Sequence, residues 1–207
     1  MSNRTDNPPV LLTERESYSI ITLNSPAQLN RLNTGMLDDL SMVITSLHGK
    51  ISLRTLIITG RDGVFSVGAD LNEVAALDET TAYEFSRRGQ SMLSLLKGAA
   101  PIVVAAIDGF CFGGGLDIAL SCNLRYATLR SSFQHPGPRR GIITGWGGTQ
   151  RLPRLIGIAA ARRLLVTGEA ISSDEAFRLG LINGIHEDPL AYACTLAERI
   201  GESIMDN

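Results

Sequence analysis

The chain has 207 residues, 44% of them hydrophobic, which suits one domain with a sizeable core, with or without an appended lobe. Lys and Arg number 19 against 21 Asp and Glu, and no basic block marks a nucleic-acid surface. No long apolar run or charged-then-apolar leader suggests a membrane span or signal peptide, and Cys111, Cys122 and Cys194 lack the spacing of a disulfide framework or a zinc site, so a reducing cytoplasmic home is expected.

Residues 1–9 are polar and contain Pro8-Pro9, which reads as a frayed start. Residues 10–13 and 17–23 alternate as a β-hairpin around Glu14-Arg15-Glu16, and Asn24-Ser25-Pro26 breaks the second strand. Met36, Leu37, Leu40, Val43, Ile44 and Leu47 recur at helical spacing, so residues 36–47 are predicted as an amphipathic helix. His48, at its end beside Gly49, reads as a solvated C-terminal cation. Residues 56–59 form a buried apolar strand, Gly60-Arg61-Asp62-Gly63 turns, and Phe65-Ser66-Val67-Gly68-Ala69-Asp70 leads into a helix rich in acidic residues. Residues 82–96 give a further helix with Arg87-Arg88 on its polar side.

Pro101 opens a β-branched run over 102–107, again a buried strand. Asp108-Gly109 turns the chain, Gly113-Gly114-Gly115 follow, and Leu116-Asp117-Ile118-Ala119-Leu120 reads as a helix. Glycine lets backbone approach a ligand closely, and a helix start offers unpaired N–H groups of partial positive charge. The spacing is not that of a nucleotide loop, since no Gly-x-Gly-x-x-Gly or Gly-Lys-Ser/Thr is present. A strand, a glycine turn and a helix start thus occur twice. Two such units can aim two backbone donors, the Ala69 and Gly114 N–H groups, at one developing oxyanion. Asp117 then places a carboxylate on the helix one turn from the Gly114 donor.

Short strands over 124–128 and 131–134 come next, then a shaped loop from His135 to a helix starting near Gly147. Residues 159–167 are helical, a Ser-x-x-Glu capping box at Ser172 opens a helix over 176–179, residues 181–185 return as strand, and residues 190–204 form a last helix. Tyr126 and Trp146 read as packing residues.

The phrases FSVGADLNE and DGFCFGGGLDIALSC resemble the two marks of the crotonase superfamily, the enoyl-CoA hydratase/isomerase family. ITLNSPAQLNRLN, HPGPRRGIITGWGGTQRLPRLIG and TGEAISSDEAFRLGLIN are similar to further family phrases, so the likeness runs from Ser19 to Ile185. It implies an α/β fold, a crotonase-like spiral of ββα units over residues 1–186. Residues 187–207 would be the start of a C-terminal helical region, short or truncated here. It also implies an acyl-CoA thioester as substrate and a homotrimer or hexamer as assembly, with no nucleic-acid or membrane partner. Coenzyme A belongs to the substrate, so neither a separate cofactor nor a metal is expected.

By the same resemblance, Ala69 and Gly114 supply the oxyanion donors that stabilise a thioester enolate. Gln28 and Leu29, together with Ala69, Asp70, Leu71, Asn72 and Gly114, border the substrate, and Arg87-Arg88 is either a solvated face or an aid to coenzyme A phosphates. Hydratases of the family carry two glutamates. The first position is Asp117 here, shorter by about 1.5 Å, one carbon–carbon bond. The second is Gly137, which has no side chain, so that Gly137→Glu is expected to raise hydration if the loop tolerates it. His135, two residues earlier, is a candidate acid/base beside the plainer reading of a loop histidine. The resemblance leaves open an enoyl-CoA hydratase or isomerase, a crotonase-fold hydrolase or decarboxylase, and a catalytically silent acyl-CoA binder.

Overall fold

The computed structural model describes residues 8–205; the predicted frayed start falls largely outside them. The chain opens with the antiparallel hairpin β1 (Val10–Glu14) and β2 (Tyr18–Leu23), and α1 (Thr34–Leu47) follows. Three repeats of a strand followed by a shorter strand come next. They are β3 (Thr55–Gly60) with β4 (Val64–Ser66), β5 (Ile102–Ile107) with β6 (Phe110–Phe112), and β7 (Leu124–Ala127) with β8 (Ser132–Gln134). With β9 (Ile171–Ser172) and β10 (Gly184–Ile185) added, the longer strands enter a six-stranded sheet of order β1-β2-β3-β5-β7-β10, and the shorter ones a four-stranded sheet of order β4-β6-β8-β9. The edges are β1 and β10 in the six-stranded sheet and β4 and β9 in the four-stranded one.

Helices fill the crossovers, as parallel neighbours require. The first repeat leads to α2 (Leu71–Ala75) and α3 (Glu79–Ala99), the second to α4 (Gly114–Ser121), and the third to α5 (Gly148–Ile156) and α6 (Ile158–Thr167). The repeating ββα path is the spiral that the sequence implied. Two short elements differ from the sequence reading. The acidic helix after Asp70 is one turn long, because the Asp78–Thr81 capping box restarts the helix as α3. Phe110-Cys111-Phe112 is a strand rather than part of the glycine turn, paired in parallel with both β4 and β8.

The central strands β3 and β5 are apolar through their middles because both faces are covered. In β3, Leu56 and Ile58 join the main core while Ile57 faces the other way; in β5, Val103, Ala105 and Ile107 do so while Val104 and Ala106 face away. The main core packs against α1, α3 and α4. The opposite face is covered by Ala193 and Ala197 of α8 (Pro189–Met205). The remaining helix, α7 (Ser173–Arg178), is capped by Ser172 as expected. Among the described residues no helix is long and apolar enough to cross a membrane.

Candidate active site

The two glycine turns meet. Gly68 has φ +89°, and a Cβ placed on it would stand 2.7 Å from the Gly114 nitrogen. Gly113 has φ 51° and ψ −120°, a conformation that only glycine adopts easily, and it opens α4. Together they bring the backbones at Ala69 and Gly114 to one wall of a cavity of about 700 Å³. No backbone carbonyl among the described residues accepts from either of these N–H groups. The first turn of a helix leaves such donors open for an incoming acceptor.

A bracket that sequence reasoning missed holds the Ala69 turn. Asn30 is fully buried, and its Nδ2 donates to the Val64 and Phe65 carbonyls at 2.7 and 3.2 Å. The Ser66 hydroxyl donates back to the Asn30 carbonyl at 2.8 Å, and the Val67 N–H donates to the Leu29 carbonyl at 3.2 Å. Gln28 and Leu29 do not line the cavity; Arg31, two residues on, does, and it pairs with Asp70 at 3.4 Å. Asp70, Leu71 and Asn72 line the cavity, with Asp70 also capping α2 through the Asn72 N–H at 2.8 Å. Arg87 and Arg88 lie outside it, both exposed, and Arg88 is paired with Asp38. His48 is exposed, yet its Nε2 donates to the Leu95 carbonyl at 2.9 Å and so ties α1 to α3.

Asp117 and His135 both line the cavity and are almost wholly buried, at 1% and 3% exposure. The Thr144 hydroxyl donates to Asp117 Oδ2. Asp117 Oδ1 lies 3.8 Å from His135 Nε2, and neither of these atoms nor His135 Nδ1 has a hydrogen-bond partner among the described residues. Gly148 borders this gap; a Cβ there would fall 2.5 Å from Oδ1 and 2.8 Å from Nε2. Burial raises the Asp117 carboxyl to about 6, against the lowering pull of the Thr144 hydroxyl, the Arg151 charge and the nearby Gly148 N–H. Burial alone lowers His135 to about 4. At neutral pH the site therefore holds a carboxylate facing a neutral imidazole.

Thr144 carried no signal of its own in the sequence. Only the fold brings it to Asp117. Trp146 packs on Phe85 at 5.4 Å between ring centres and also lines the cavity. It fills the space that side chains at Gly89 and Gly114 would need, since a Cβ at either would come within 2.3 Å of its ring. Gly137 does not need a positive φ, but a Cβ there would stand 2.6 Å from the Ile142 carbonyl oxygen. The loop thus has no room for a glutamate at 137 unless its backbone shifts, so Gly137→Glu would strain the loop rather than raise hydration.

The enoyl-CoA hydratase/isomerase family model matches residues 13–206. The chain is 37% identical over 177 residues to a crotonyl-CoA hydratase of Syntrophomonas wolfei subsp. wolfei, covering 85% of this chain and 68% of that one. It is 36% identical over 197 residues to an (E)-benzylidenesuccinyl-CoA hydratase of Thauera aromatica, covering 95% and 76%. The crystal structure of an enoyl-CoA hydratase from Bacillus anthracis superposes with a TM-score of 0.88 at 32% identity, over 93% of this chain and 76% of that chain. Sequence phrases, the ββα spiral and these matches agree, and the chain belongs to the enoyl-CoA hydratase/isomerase family.

Proposed function

We propose that the protein turns over acyl-CoA thioesters by stabilising a thioester enolate, as an enoyl-CoA hydratase or isomerase. Ala69 and Gly114 donate to the thioester oxygen as charge develops on it, each donor lowering the barrier by about 3–4 kcal/mol. Asp117 takes and returns the proton at the carbons that react. One observation carries the reading: a buried, ionisable Asp117 shares a single cavity with two backbone N–H groups that no backbone carbonyl of the described residues engages. Asp70, Leu71 and Asn72 border the acyl-CoA, with Arg31 beside them as a cation for its anionic part. Phe85, Phe112, Ile142 and Ile143 give the cavity an apolar wall suited to an acyl chain. Self-association as a trimer or hexamer belongs to the same reading. The absence of a carboxylate at Gly137 favours double-bond isomerisation beside hydration, since isomerisation needs a proton moved but no water added.

Two measurements test this. Loss of the enoyl thioester absorbance reports hydration of crotonyl-CoA, and deuterium uptake at the α-carbon of butyryl-CoA reports enolate formation alone. Asp117→Asn keeps the shape and the contact with Thr144 but cannot take a proton. Both rates should fall by about 10²–10⁴-fold in the folded variant. Unchanged rates in a folded Asp117→Asn protein would remove Asp117 from the reaction.

A further inference from the structure

Thr144 occupies Asp117 Oδ2, so Oδ1 is the oxygen left for chemistry. It faces His135 Nε2 at 3.8 Å, too far for a direct hydrogen bond. Both atoms are buried without a partner among the described residues, and leaving a buried polar atom so is unfavourable. Both residues line the cavity, and Gly148 adds no side chain to crowd the gap. One oxygen atom about 2.8 Å from each of the two closes the triangle.

We propose that His135 and Asp117 together hold the water that adds to the substrate, His135 making the second contact that a carboxylate at position 137 would otherwise make, while Thr144 positions Asp117. This rests on the enolate reading above and extends it to the water. A neutral imidazole cannot donate two protons in turn, but it can hold an oxygen with one hydrogen bond. Asp117 then does the proton work alone. Its Oδ1 takes a proton from the water as the water oxygen bonds to the β-carbon, and the π electrons move to the thioester oxygen between Ala69 and Gly114. The enolate α-carbon next takes that proton from Asp117, which restores the carboxylate. Charge stays at −1 on the site throughout, and the sum is one water added across one double bond.

The experiment compares crotonyl-CoA hydration with α-proton exchange on butyryl-CoA in His135→Ala and His135→Gln. Exchange needs the donors and Asp117 but no held water. His135→Ala should lower hydration on the order of 10²-fold and leave exchange near the wild-type rate, with part of the hydration recovered in His135→Gln, whose amide can still bond an oxygen. Hydration unchanged in His135→Ala, or hydration and exchange falling together, would overturn the proposal. A wild-type protein that exchanges α-protons yet hydrates nothing would also overturn it while sparing the enolate reading. A wild-type protein that does neither would remove the enolate reading, and this inference with it.

Discussion

At the scale of single residues, burial acts on Asp117 and His135 in opposite senses. Asp117 is raised from 3.8 to about 6, so its contribution favours the fold below its unfolded value and is lost as pH rises through about 6. His135 is lowered from 6.5 to about 4, so its contribution is present above its unfolded value and is lost as pH falls through about 4. Between these values the unfolded chain carries a charged pair and the folded chain a neutral pair with the same number of protons. The two slopes cancel. Asp117 is faced by His135, by Thr144, by Arg151 of α5 and by Cys111 of β6, and among these only His135 titrates in that window. Removing one partner should expose the other. In Asp117→Asn, stability should rise with pH from 4 to 6.5; in His135→Gln it should fall with pH from 4 to 6, each by up to about 3 kcal/mol. Urea unfolding at three pH values in that range checks the signs, and slopes of the same sign would contradict the pairing. Asp117, His135 and Gly137 were legible in the sequence because a family phrase fixes their positions. Thr144 was not, because its role comes from a contact made across 27 positions of chain by the fold.

At the scale of elements, what the sequence revealed was what sheet burial forces on composition. The apolar runs of β3 and β5 and the glycines before α4 announced themselves. The strand β6 did not: three residues between Gly109 and Gly113 carry too little pattern, and its pairing with β4 and β8 is entirely tertiary. The far end of α4 depends on another residue without a sequence signal. Arg125, on β7, is buried, and its guanidinium donates to the Cys122 carbonyl at 2.6 Å, the Leu181 carbonyl at 2.7 Å and the Ala119 carbonyl at 3.3 Å. It thereby anchors the helix that bears both Gly114 and Asp117. Arg125→Met keeps the apolar stem and takes this donor from the Cys122 and Leu181 carbonyls, while the Ala119 carbonyl keeps the Cys122 N–H. The urea midpoint should drop by the equivalent of about 2–4 kcal/mol with an unchanged slope. A loss below about 1 kcal/mol would mean that other donors replace the guanidinium.

At the scale of the whole molecule, several large apolar side chains remain exposed, among them Phe110 of β6, Ile158 and Val166 of α6, and Phe177 of α7. Association of copies is the economical way to cover such groups. Sedimentation velocity at micromolar concentration should show a trimer or a multiple of it; a clean monomer would count against assembly through these residues.

The covering of the six-stranded sheet by α8 has a consequence for synthesis on the ribosome. The strand order lets β3, β5 and β7 dock in turn, each on a neighbour already made, so the sheet can grow as the chain emerges. Its outer face, with Tyr18, Ile57, Val104, Ala106 and Tyr126, stays wet until Pro189–Met205 has left the exit tunnel. Until α8 emerges, the nascent chain therefore displays a sticky surface complete in everything but its lid, the kind of exposed apolar face that a chaperone holds.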